Sequence, residues 1–118
     1  MILVDTSVWI DHFRRSIPEL VRHLEDGSVA CHPFIVGELA LGTLRNRVET
    51  VELLAELPAL DLSSHDDVLL FADRHDLHGR GIGWIDAHLL CATAAADLRI
   101  WTHDKKLRAC AAKLGLAR

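Results

Sequence analysis

The feature that most constrains this chain is its opening stretch, Met1-Ile2-Leu3-Val4-Asp5-Thr6-Ser7-Val8-Trp9-Ile10. Ile2, Leu3 and Val4 read as a buried strand, and the run stops at an acid backed by two hydroxyl side chains. Asp5 therefore stands where a strand ends and a helix begins. If that strand is central in a parallel sheet, Asp5 points into the crevice outside the carboxyl ends of the strands, where open α/β folds bind ligands.

The remaining chain alternates helix and strand signals. Helical character is expected from Thr6 to about Arg15, and again from Pro18, a favoured first helical residue, to a stop at Gly27. Ser28 to His32 reads as a second strand, and Pro33 opens a helix through Leu41 that is apolar almost all round and so should be buried, with Glu38 its only charge. Asn46 to Leu57 gives an amphipathic helix, Ala59 to Leu62 a third short strand, and Ser64 with Asp67 a capping box for a helix over Asp66 to His78. After the glycine-rich Gly79-Arg80-Gly81-Ile82-Gly83, read as a flexible approach segment, the strongest helix signal runs from Trp84 to Ala96. Leu98 to Thr102 is a last buried strand, and Lys105 to Leu114 a closing helix with Leu107, Cys110 and Ala111 inward. This alternation predicts an α/β fold of three layers, a central parallel sheet of about four or five strands covered on both faces. The 118 residues suit a single domain, 1–118.

Composition excludes several classes. Hydrophobic residues make up 50% and charged residues 25%, which is globular and not disordered. No apolar run reaches the roughly 18 residues of a membrane span, and no basic region precedes the first apolar run as in a signal peptide, so a cytoplasmic protein without membrane contact is expected. Cys31, Cys91 and Cys110 look like reduced core thiols, and the histidines His75, His78 and His88 lack a zinc-like spacing with cysteine. The net charge is -4, from 17 acids against 13 Lys and Arg, so an acidic cluster of four accounts for the whole excess.

Four acids are candidates for that cluster. Asp5 and Asp104 stand at the carboxyl ends of the first and last strands, and Glu38 and Asp86 lie early in helices that are otherwise apolar. Four carboxylates at one edge raise one another's pKa unless a cation holds them ionised, and oxygen-only ligands select a hard ion such as Mg²⁺ or Mn²⁺. Structural readings compete with this. Asp5 and Asp104 could be N-caps and Asp86 could complement the helix dipole, whereas Glu38 in mid-helix has no such role. Thr6, Ser7 and Thr102 could cap or support the site, with capping the expected role for Ser7.

Ile-Leu-Val-Asp5-Thr6-Ser7, Gly37-Glu38-Leu39-x-x-Gly42, Trp84-Ile85-Asp86-Ala87-His88 and Ile100-Trp101-Thr102-His103-Asp104 together resemble the four acidic motifs of PIN domains, in the order and spacing of the VapC toxins of bacterial toxin-antitoxin pairs. The resemblance spans essentially the whole chain. It implies an endoribonuclease dependent on Mg²⁺ or Mn²⁺, usually a homodimer, held inactive by a VapB-like antitoxin. Carried over residue by residue, it puts Asp5, Glu38, Asp86 and Asp104 at the catalytic and metal-binding positions, with Thr6 and Thr102 as supporting hydroxyls. Lys105 and Lys106 follow where some relatives have a further acid. Arg14, Arg15, Arg45, Arg47, Arg80, Lys105 and Lys106 are candidates for contacts with RNA phosphates.

Two other classes compete with a nuclease. A receiver-like domain would bind Mg²⁺ and phosphorylate an aspartate at the end of its third strand, but here that strand carries Asp61 inside it and ends at Leu62-Ser63. A non-catalytic partner-binding module would use the acids only as helix caps and bind no cation.

Overall fold

The computed structural model describes residues 1–118. The elements are β1 (Ile2–Val4), α1 (Thr6–Arg14), α2 (Pro18–Glu25), β2 (Val29–Ala30), α3 (Pro33–Ala40), α4 (Arg47–Glu56), α5 (His65–Arg74), α6 (Trp84–Ala95), β3 (Arg99–Trp101) and α7 (Lys105–Lys113). The sheet has the order β2-β1-β3, with both pairings parallel, so β1 is central as its unbroken apolar run demands. Leu3 sits opposite Ala30 on one side and Ile100 on the other. The chain runs to one side of β1 and later returns on the other, so the strand order reverses at β1. That reversal opens the crevice at the end of β1, where Asp5 lies.

Beyond these three strands the sheet continues on each edge by one bridge only, Cys31 with Ala59 and Ile100 with Ala117. The strand expected over Ala59 to Leu62 is thus reduced to the single pairing at Ala59. An edge near Ala117, which the sequence does not signal, is held by Ile100 N–H to Leu116 O at 2.8 Å and Arg118 N–H to Ile100 O at 3.0 Å.

Three connections turn a helix into a strand by one device. Gly27 (φ +69°), Asp97 (φ +57°) and Gly115 (φ +72°) take the left-handed conformation after α2, α6 and α7. The next residue then donates back across the last helical turn, Ser28 to His23 at 3.0 Å, Leu98 to Thr93 at 3.0 Å and Leu116 to Ala111 at 2.8 Å. Asp76 (φ +51°) stops α5 in the same way, and so the helix ends at Arg74 and not at His78.

The core gathers Leu3 and Val4 with Val8, Trp9, Ile35, Leu89, Leu90, Ile100 and Leu107. Burying such side chains contributes about 1.5–3 kcal/mol each. α6 earns its strong signal, with Ala87, Leu89, Leu90, Ala92 and Thr93 all buried. α3 differs from expectation: only Ile35 and Leu39 are buried, while Gly37 and Glu38 are exposed and Leu41 is 90% exposed. Its apolar composition serves two surfaces, one against the core and one facing out. No helix is long and apolar enough to cross a membrane, and all three cysteines are free thiols.

Candidate active site

Asp5 follows the last residue of β1 and is only 6% exposed. Its backbone N–H donates to Trp101 O at 2.9 Å, which fixes it against β3. Two hydroxyls converge on one carboxylate oxygen: Ser7 Oγ donates to Asp5 Oδ2 at 2.7 Å and Thr102 Oγ1 donates to the same atom at 2.8 Å. Those hydroxyls are themselves held, since Ser7 Oγ accepts from the His103 N–H at 2.9 Å and Thr102 Oγ1 from the Asp104 N–H at 3.0 Å. This lattice ties the β1–α1 turn to the β3–α7 turn and keeps Asp5 Oδ2 fully engaged. Oδ1 accepts no hydrogen bond.

Asp104 is the N-cap of α7, its Oδ1 accepting from the Leu107 N–H at 3.0 Å. Asp86 lies in the first turn of α6, its Oδ2 accepting from the Gly83 N–H at 3.2 Å. Asp5 is the N-cap of α1. Capping and a place at a charged site are therefore not rival roles. Each cap uses one carboxylate oxygen and aims the residue with it.

Glu38, on the exposed side of α3, makes no hydrogen bond or ion pair. Its carboxyl is pushed above the usual range, first by desolvation and then by the charges of Asp5 and Asp86. Asp86 is also pushed up, chiefly by desolvation, with the Gly83 N–H opposing this and the charges of Asp5 and Asp104 adding to it. Asp5 and Asp86 thus act on Glu38, and Asp5 and Asp104 on Asp86, which links the four acids through Asp86. They stop short of closing on each other: no three His, Cys, Asp or Glu side chains stand together as a ready cation cage.

The PIN domain family matches residues 2–113. The chain is 46% identical over 118 residues, 99% of its length and 95% of the relative's, to Ribonuclease VapC32 of Mycobacterium tuberculosis, in both the CDC 1551 / Oshkosh and the ATCC 25618 / H37Rv strains. It belongs to the PIN-domain family, as a VapC-type member. The crystal structure of PAE2754 from Pyrobaculum aerophilum superposes with a TM-score of 0.67 over 92% of this chain and 83% of that one, at 17% identity, and so shares the fold.

Within the PIN domain, the donor set suits a hard divalent cation. It is made of carboxylate oxygens and hydroxyls without cysteine or histidine, and two of its acids carry raised pKa values that a cation would relieve. Thr6, expected as a supporting hydroxyl, has a buried Oγ1 with no partner, whereas Thr102 supports Asp5 directly. Ser7 does more than cap, a role with no local sign because its partners are 95 and 96 residues away.

Among the expected phosphate contacts, Arg14 and Arg45 line an open groove of about 510 Å³ that ends at Glu38. Arg80 is tethered to Asp76 O at 2.6 Å, and Arg47 to Ala40 O. Arg15, Lys105 and Lys106 are exposed. The stem of Lys106 lies across Gly81 (φ +79°), where an added Cβ would come within 2.6 Å of it. The glycine-rich segment is therefore seated against α7 at that point and is less free than expected. The receiver-like alternative falls with the family assignment. Its phospho-acceptor position also has no strand to end, since pairing in that region is the Ala59 bridge alone.

Proposed function

We propose that this VapC-type protein is an endoribonuclease dependent on Mg²⁺ or Mn²⁺ and the toxin of a pair with a VapB-like antitoxin. The observation that carries the reading is the gathering of charge around Asp5 at the end of the central strand: besides burial, Asp5 and Asp86 raise Glu38, and Asp5 and Asp104 raise Asp86. The name of the mycobacterial relative, a ribonuclease over nearly the same length, supports it. Asp5, Asp86 and Asp104 would hold the ion, with Glu38 as a further ligand or as the group that orients the attacking water. A bound divalent ion supplies a lowered water pKa and a polarised phosphoryl oxygen. The chain's own part is to hold Asp5 still through Ser7 and Thr102, to aim Asp104 and Asp86 through their caps, and to leave Glu38 free to take up a proton.

The groove beside Glu38, walled by the exposed Ile10 and Phe13 and by Arg14 and Arg45, supports docking of an antitoxin segment next to the acids. Pairing with a second copy follows from the family likeness alone.

The test is RNA cleavage with and without Mg²⁺ or Mn²⁺. Wild type is expected to cut only with the ion, and Asp86→Asn to lose more than the 10–100-fold typical of residues that merely orient a ligand. Metal-independent cutting, or an unimpaired Asp86→Asn, would refute the reading. A Tm that rises with added ion in wild type and not in Asp5→Asn reports binding apart from turnover.

A further inference from the structure

A second cleft, of about 370 Å³, opens beside β3 and is lined by Glu19, Trp101, Thr102, His103, Arg108 and Arg118 among others. It shares a wall with the acidic edge: Thr102 donates to Asp5, and the His103 N–H donates to Ser7. Its charge is opposite to that of the edge. Two arginines face one acid, Glu19, in a protein whose net charge is -4.

The two arginines are prepared differently. The Arg118 guanidinium lies 3.9 Å from the centroid of the Trp101 ring and is paired to Glu19 Oε1, so its planar fork is already ordered. Arg108 pairs with no acid. It stands one helical turn after Asp104 on α7, its N–H donating to Asp104 O at 2.9 Å, and neighbours at that spacing share a helix face about 5–6 Å apart. An unpaired cation is thus placed beside a carboxylate cluster that repels the phosphates it has to receive.

We propose that this cleft seats a backbone phosphate of the RNA strand adjacent to the phosphate at the acidic edge, with Arg108 as its principal contact and Arg118 as a pre-ordered second. The proposal rests on the nuclease reading for its ligand. RNA fits better than an acidic protein segment because Thr102 and His103 of the cleft wall bond to Asp5 and Ser7 of the edge where a diester would be cut, and because arginine forks match phosphate oxygens in pairs.

The test is fluorescence anisotropy of a labelled oligoribonucleotide with Mg²⁺, on full-length protein carrying Asp86→Asn so that cutting does not erase the signal. Adding Arg108→Ala, an exposed change that removes no pairing, is expected to weaken binding about 3–10-fold and to flatten the salt dependence by about 0.7, the slope for one phosphate contact to a single strand. Adding Arg118→Lys as well, which keeps the charge and loses the fork, weakens it further. Arg74→Ala, equal in charge change, exposed and outside the cleft, should leave Kd within twofold. Unaltered binding by the Arg108 variant, or an equal loss in the Arg74 variant, would overturn the proposal. Wild type that binds RNA through Arg108 yet never cuts it would instead refute the nuclease reading and leave the subsite standing.

Discussion

The two halves of the acidic edge are built on opposite principles. On the strand side, Asp5 is locked: it accepts two hydroxyl bonds of 2.7 and 2.8 Å on one oxygen, and those hydroxyls are pinned by the backbone amides of His103 and Asp104. On the helix side, Glu38 is unbonded and Asp86 holds a single contact at 3.2 Å, and both carry raised pKa values. The lesson is a division of labour. Position is fixed by the hydroxyls of Ser7 and Thr102 at the two turns, while burial and neighbouring charge raise the carboxyls of the acids carried on helices.

Among changes that leave the four acids in place, breaking the rigid half should have the largest effect. Thr102→Val removes one donor to Asp5 and the acceptor for the Asp104 N–H, and is expected to lower metal affinity or activity by about 10–100-fold, as for other groups that orient ligands. Metal titration by calorimetry alongside cleavage assays would check this. Equal activity in Thr102→Val would mean that the lattice is not what positions the site.

A smaller effect is expected from acidification, and it acts through the base of α3. His32 is fully buried, accepts from the Phe34 N–H at 3.0 Å as the cap of that helix, and has Nε2 unpartnered. Burial, and to a lesser degree the charge of His88, lower its pKa from 6.5 to about 4. The folded state therefore binds fewer protons than the unfolded one in that window. Stability is whole above about pH 6.5 and falls as pH drops toward 4, at up to about 1.4 kcal/mol per unit. Denaturant titrations at pH 7 and pH 5 should show the loss, and His32→Asn, which keeps an acceptor at the cap, should shrink it. His12 and His88, both lowered by burial, act in the same direction.

The smallest effect sharpens the contrast from the other side. A raised carboxyl pKa means that ionisation of Glu38 opposes folding at neutral pH, so Glu38→Gln should raise the Tm of metal-free protein by a few degrees and leave it less responsive to Mg²⁺. A scan in EDTA and in Mg²⁺ measures both. A Tm that falls in EDTA would show that the helix side is as tightly built as the strand side.

The legible parts of this molecule were those written in consecutive residues. The Ile2–Val4 run announced a central strand, and Trp84 onward announced the most buried helix. The acids at Asp5 and Asp104 were visible as strand ends. What could not be read depended on partners distant in sequence. The outward face of α3 was hidden because apolar composition does not reveal how much of a helix its neighbours cover. The edge at Ala117 is one pairing wide and leaves no periodic trace. Ser7 looks like any capping hydroxyl until residues some 95 positions away arrive to meet it.

The same separation governs when the protein can act. Every tie between β1 and β3, including the bond from Thr102 to Asp5 that spans 97 positions, waits for the late strand to be made, and contacts of such span are the slow ones to form. During synthesis the early half of the chain therefore carries Asp5 and Glu38 without the scaffold that would arm them. Assembly order therefore sets when the acidic edge is complete: Asp5 has no Thr102 donor until the residues after β3 are in place.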